Sequence, residues 1–142
     1  MYSPYYGAVF VSDFLGTDGA TVAALDDGSG ETAVYVVFSS SGSPLRLLVL
    51  NSEYYGGSGT RPSETVQFSG LTKSSGTVSA KRLTAPDATA LVNQGAAVTI
   101  GGDGTFSASC ESQGTQELES VSVSGGSLEV AVAASEALIV YL

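Results

Sequence analysis

Short runs of β-branched and aromatic residues, each stopped within a few positions by glycine or serine, recur from Thr21 to the last residue. That punctuation constrains the fold more than any other feature. Runs of this kind make strands, and the glycine and serine clusters make the turns between them. Glycine fills 18 of 142 positions, near twice its usual share of about 7%. At 43% hydrophobic the chain has enough apolar surface to fold as one core. The pattern predicts an all-β protein, an antiparallel β-sandwich of about eight strands with one N-terminal helix.

The helix is expected over residues 1–16 and the sandwich over 17–142. Ser3 can cap the helix, Pro4 suits its first turn and Gly16 suits its stop. Tyr6, Val9, Phe10, Asp13 and Phe14 fall at helical spacing, and only Asp13 interrupts that apolar stripe. Segments 31–39 and 45–50 are apolar on both faces, the latter broken only by Arg46, so they read as a hairpin of central strands. Val66 and Phe68 alternate with Thr65 and Gln67. Val121 and Val123 lead into Gly125-Gly126, and Leu128, Val130 and Val132 return. Residues 137–142, apolar on both faces, close the chain as another central strand.

Composition excludes several chemistries. The chain has no His, so it offers no Ser-His or Cys-His pair and no His-ligated metal. Its one Cys allows no internal disulfide and no cysteine-rich zinc site. Five basic residues against 14 acidic ones, a net charge of −9, argue against nucleic acid as a partner. No apolar run approaches the roughly 20 residues of a membrane helix. The opening Met-Tyr-Ser-Pro lacks the basic start and apolar core of a signal peptide. No cofactor is implied.

Carboxylate chemistry needs more weighing. Glu117 and Glu119, two apart, face one side if they lie on a strand, and Asp26 and Asp27 are adjacent in a turn. Glycosidase carboxylates flank a sugar across a cleft, and nothing around either pair signals one, so both read as surface acids. The turns 26–30 and 101–104 are thin as calcium loops, because calcium takes six to eight oxygens; no metal site is expected. Cys110 has no basic neighbour in sequence to lower its pKa. Tyr54 and Tyr55, beside a glycine-rich loop, could stack on sugar rings. Arg82 shares a strand face with Val78 and Ala80, which aims it inward; it then needs a carboxylate, and Glu136 is the expected partner.

Ordered motifs along the chain resemble one known family. Segment 4–16 (Pro-Tyr-Tyr-Gly-Ala-Val-Phe-Val-Ser-Asp-Phe-Leu-Gly) resembles the last barrel helix of glycoside hydrolase family 79, which holds β-glucuronidases and is related to heparanases. Leu47-Leu48-Val49-Leu50-Asn51, Arg61-Pro62-Ser63, Lys81-Arg82-Leu83-Thr84-Ala85-Pro86, Val98-Thr99-Ile100-Gly101-Gly102 and residues 134–142 resemble its C-terminal β-domain, in the right order. The resemblance implies a secreted glycosidase setting. In that family the catalytic glutamates belong to the barrel, which this chain lacks, so no catalytic residue is carried over. Asp13 then falls near a barrel–sandwich boundary.

A helix face shaped against a barrel, and a sheet edge left without its partner strand, both favour self-association. Tyr6, Phe10 and Phe14 are the expected face. The expected partners are therefore a second copy, or a larger assembly, or a catalytic barrel. Three functions compete: a non-catalytic accessory sandwich, a carbohydrate-binding module built on Tyr54 and Tyr55, and, least favoured, a hydrolase using its own carboxylates.

Overall fold

The computed structural model describes residues 3–142; residues 1 and 2 of the expected helical segment lie outside the described residues. Helix α1 (Ser3–Leu15) leads into eleven strands. They are β1 (Thr21–Ala24), β2 (Thr32–Phe38), β3 (Pro44–Asn51), β4 (Ser63–Phe68), β5 (Ser75–Thr84), β6 (Thr99–Ile100), β7 (Thr105–Phe106), β8 (Ser112–Gln113), β9 (Glu119–Ser124), β10 (Ser127–Ala133) and β11 (Glu136–Tyr141). Three of these, β6, β7 and β8, are two-residue pieces, which leaves eight longer strands. All pairings are antiparallel.

The two layers are one continuous sheet that curls over itself, ordered β1-β2-β3-β11-β5-β9-β10-β4, with β6 added on β5. β2 and β3 form the expected hairpin. β9 and β10 form another, whose turn places Gly125 at φ 58° and Gly126 at φ 72°. Two successive positive φ values are what a tight primed turn demands, and glycine meets them without strain. β11 lies between β3 and β5, as its two-sided apolar sequence requires.

Two cores share the wall formed by β2, β3 and β11. The inner one lies between the layers and holds Val34, Val36, Leu47, Val49, Leu138 and Val140 against Phe68, Val123, Leu128, Val130 and Val132. The outer one lies under α1, where Tyr6, Phe10 and Phe14 pack on Val37, Leu48, Ala137, Ile139 and Ile100. One polar side chain is fully buried in the wall: Asn51 Nδ2 donates across the layers to the Val132 carbonyl at 3.0 Å, and its Oδ1 accepts from Glu53 N–H at 3.0 Å. With both ends satisfied it carries no desolvation penalty for an unmet group.

The expectation that Tyr6, Phe10 and Phe14 form a self-association face is corrected here. All three rings are no more than 3% exposed, turned inward onto this chain's own sheet. The outer faces of β3 and β11 are themselves apolar, so the helix finds its cover within the molecule. Tyr6 also accepts a hydrogen bond from Phe106 N–H at 3.1 Å and meets the Phe106 ring edge-on at 5.3 Å. Ser3, expected as the helix cap, instead donates its hydroxyl to the Ala90 carbonyl and accepts from Val92 N–H, tying the helix start to the loop ahead of β6. No helix among the described residues is long and apolar enough to cross a membrane.

Candidate functional site

Charged side chains gather where elements meet. In β5, Arg82 stands opposite Leu138 of β11 and so shares the inner face, at the rim of the inner core. Its Nη1 donates to Glu136 Oε2 at 3.0 Å. Its Nε and Nη2 grip Glu119 of β9 in a fork, at 2.8 and 3.0 Å, and Nη2 reaches the Ala131 carbonyl of β10 at 3.2 Å. Glu136 also accepts from Thr84 Oγ1 at 2.5 Å and lies 3.4 Å from Arg61 Nη1. Burial alone would lower the Arg82 pKa, but the bonds and charges of Glu119 and Glu136 outweigh it and hold the guanidinium above its ordinary value. The guanidinium therefore stays charged, and its bonds join β5 to β9, β10 and β11.

Arg61 fastens the turn between β10 and β11. It donates to the carbonyls of Ala134 at 2.7 Å, Ala85 at 3.0 Å and Ser135 at 3.3 Å. Its guanidinium also lies over the Tyr55 ring, 5.1 Å from the centroid. Tyr55, one of the two residues considered for sugar stacking, is thus engaged with its own chain. Tyr54 is 68% exposed, with one edge of its ring beside Gly56.

Two further cations hold α1 down. Arg46, the residue that interrupts the apolar run of β3, donates from Nε to the Phe14 carbonyl at 2.9 Å and pairs with Asp18. A cation at a helix C-terminus satisfies its last carbonyls and opposes the dipole. Lys81 of β5 pairs with Asp13, whose carboxylate also accepts from the Tyr141 hydroxyl at 3.3 Å. Burial pulls the Lys81 pKa down, but Asp13 and Tyr141 together raise it above its ordinary value. The charge that broke the helical stripe is therefore the one that docks the stripe.

Of the remaining acids, Asp27, Glu31, Glu53 and Glu64 border one open groove of about 340 Å³ beside Asn51. Asp26 accepts Val34 N–H at 2.6 Å and Gly28 N–H at 2.8 Å, which lowers its pKa, and Asp27 is lowered by the Ser29 hydroxyl and N–H. Both are turn formers. Glu119 is committed to Arg82, while Glu117 lies outside β9 on the surface, so the pair shares neither strand nor role. Among the described residues no group of three or more acids or cysteines could hold a metal ion. Cys110 is exposed in the tight turn between β7 and β8, at φ 66°.

A groove of about 340 Å³ opens beside the first half of α1, lined by apolar groups of Gly7, Leu50, Leu83, Ala85, Val98 and Ala137. Leu50, on the outer face of β3, is 39% exposed there.

Residues 34–139 match the model of the glycosyl hydrolase family 79 C-terminal beta domain. The chain belongs to that family. A crystal structure of a 4-O-α-L-rhamnosyl-β-D-glucuronidase from Fusarium oxysporum 12S, in complex with Rha-GlcA, is 44% identical, with a TM-score of 0.91. The match covers 99% of this family 79 domain but 30% of the Fusarium chain. An arabinofuranosidase is 16% identical over 77% of this chain and 18% of its own, with a TM-score of 0.48. A GH51 arabinofuranosidase from Xanthomonas axonopodis pv. citri is 13% identical over 83% of this chain and 20% of its own, at 0.47. No curated protein sequence matches. The family 79 domain spans less than a third of the Fusarium enzyme it matches.

Proposed function

We propose that this chain is a non-catalytic accessory domain that braces the catalytic barrel of a secreted family 79 glycosidase acting on a β-glucuronide. The observation that carries the reading is the near-complete match of this chain to a minor part of a rhamnosyl-glucuronidase. The chemistry within the chain agrees with it. Glu119, Glu136 and Asp18 are tied to arginines and Asp13 to a lysine, and Asp26 and Asp27 are held by their own turn. A glycosidase needs two carboxyl groups facing each other across a sugar.

The test is a domain exchange. The matching third of the Fusarium enzyme is replaced by this chain, and release of Rha-GlcA product is followed. The reading expects the exchanged enzyme to keep its activity, the enzyme without the third to lose stability, and this chain alone to release no product. Turnover by the chain alone, or an exchanged enzyme no more durable than the truncated one, would overturn it.

Two further readings are each favoured by one observation. Sugar binding has Tyr54, with its ring open to solvent. Self-association has β1, a sheet edge that carries the exposed Val22 and, just beyond, Leu25. Affinity electrophoresis with Tyr54→Ala decides the first, and light scattering across concentration decides the second.

A further inference from the structure

We propose that a pocket at one end of the inner core binds an aliphatic carboxylate, its alkyl chain against Leu71, Val78 and Leu142 and its head at Lys73. The pocket holds about 310 Å³ and is lined by Pro44, Leu71, Thr72, Lys73, Val78 and Leu142. Val78 belongs to the inner core and Leu71 packs against it, so the pocket borders apolar packing. Its walls are tied in place. Leu71 N–H donates to the Gly126 carbonyl at 2.9 Å, and Gly126 N–H donates to the Ser74 carbonyl at 3.0 Å. These bonds fasten the loop between β4 and β5 to the turn between β9 and β10. Leu142 N–H donates to the Leu45 carbonyl at 2.9 Å, which fixes Leu142 beside β3. Small-molecule sites are concave, mostly apolar, largely formed before the ligand arrives, and oriented by a few polar groups.

Charge chooses the head group. The chain carries 14 acids, yet none lines this pocket, whereas Asp87 and Glu136 line the groove beside α1 and four acids border the one beside Asn51. Arg46, Arg61, Lys81 and Arg82 all pair with carboxylates. Among the described residues, Lys73 is the one basic side chain with no carboxylate partner. Its Nζ donates to the Thr77 carbonyl at 2.7 Å, which leaves two of an ammonium's three N–H groups for a ligand. Its stem lies over bare backbone: a Cβ on Gly76, whose φ is 106°, would stand 3.3 Å from Lys73 Cε. A sugar would bring many hydroxyls to a lining that offers one hydroxyl, on Thr72, and no aromatic face. A polyanion would meet one free cation and the repulsion of a chain at −9. A single carboxylate on an aliphatic tail fits both the ammonium and the apolar wall.

The experiment is calorimetric titration of this chain at low salt with octanoate, 1-octanol and acetate, with methyl NMR to place the ligand. Octanoate should bind saturably at one site and several-fold more tightly than 1-octanol, and acetate should not bind. The methyl signals of Leu71, Val78 and Leu142 should shift, and those of Leu50 and Leu83 in the groove beside α1 should not. Lys73 is exposed, so Lys73→Gln should melt with the wild type. It should weaken octanoate to the level of 1-octanol and leave 1-octanol unchanged. Leu142→Asp, which sets a carboxylate beside the same lysine, should weaken octanoate at least as much. Added salt should weaken octanoate alone, because the ion pair at the pocket mouth is open to screening. No saturable octanoate binding, shifts confined to Leu50 and Leu83, or a Lys73→Gln protein that binds octanoate like the wild type would each overturn the proposal. None of these results bears on the accessory-domain reading, which is tested by the domain exchange.

Discussion

A Cβ on Gly16 would stand 1.8 Å from Nη2 of Arg46. Gly16 closes α1 at φ 58°, donating to the Ser12 carbonyl at 2.9 Å, and Arg46 occupies the space a side chain would need. Glycine is required twice, once for the left-handed backbone and once for the guanidinium. The backbone alone costs an L-residue roughly 1–2 kcal/mol. Gly16→Ala should therefore destabilise by more than that, because it also displaces Arg46 from the Phe14 carbonyl. Chemical denaturation of the isolated chain measures it. A loss no larger than the backbone cost would mean that Arg46 swings aside without consequence.

The Arg82 network gives a second prediction. Removing one partner of a fully buried pair costs about 3–5 kcal/mol. Arg82 is about a fifth exposed and Glu119 more so, and that exposure lowers the figure. Arg82→Met and Glu136→Gln should each cost about 1–3 kcal/mol, and the double variant should show a coupling of at least about 0.5 kcal/mol. An Arg82→Met protein that melts with the wild type would remove the network from any account of stability.

Tyr54 and Tyr55 should separate. Tyr54→Ala should leave the melting temperature where it is, since the ring touches solvent. Tyr55→Ala removes the face under Arg61, a contact worth roughly 0.5–1 kcal/mol at an exposed site, and should lower it. Equal responses in thermal melts would contradict the asymmetry of the two rings.

Acid should act through the turn aspartates. Val34 N–H, then Gly28 N–H, hold Asp26 below the ordinary carboxylate range. A carboxylate depressed in the folded state stabilises above its unfolded value of about 3.9, and that contribution fades as pH falls through the folded value. The gap in melting temperature between wild type and Asp26→Ala should be widest near neutrality and narrow in acid below about pH 3.9. A gap that does not change with pH would mean that the carboxylate's ionisation is not what holds the turn.

Much of this architecture was legible in the residues, because period and punctuation report burial directly. Leu138 and Val140 face one core of β11 and Ala137 and Ile139 the other, so an unbroken apolar run correctly reads as a central strand. Arg82 could be paired with Glu136 from sequence, because an inward arginine demands a carboxylate. Glu119 was not legible as the second partner, since no pattern in the sequence shows that β9 pairs with β5 on the side away from β11. What covers the Tyr6, Phe10 and Phe14 face is not legible in the sequence either. The residues show which stripe is apolar, but not that the outer faces of β3 and β11 lie ready to cover it. Arg46 alone in an apolar run was the one visible signal of the helix-capping contact, and a lone charge in a two-sided strand is a pattern worth reading.

The claim that this domain braces a catalytic domain is tested most directly by calorimetry of the exchanged Fusarium enzyme. A braced domain and its barrel unfold together, so the account predicts one shared transition above the melting temperature of this chain alone. Two separate transitions, one of them at the temperature of the isolated chain, would contradict it.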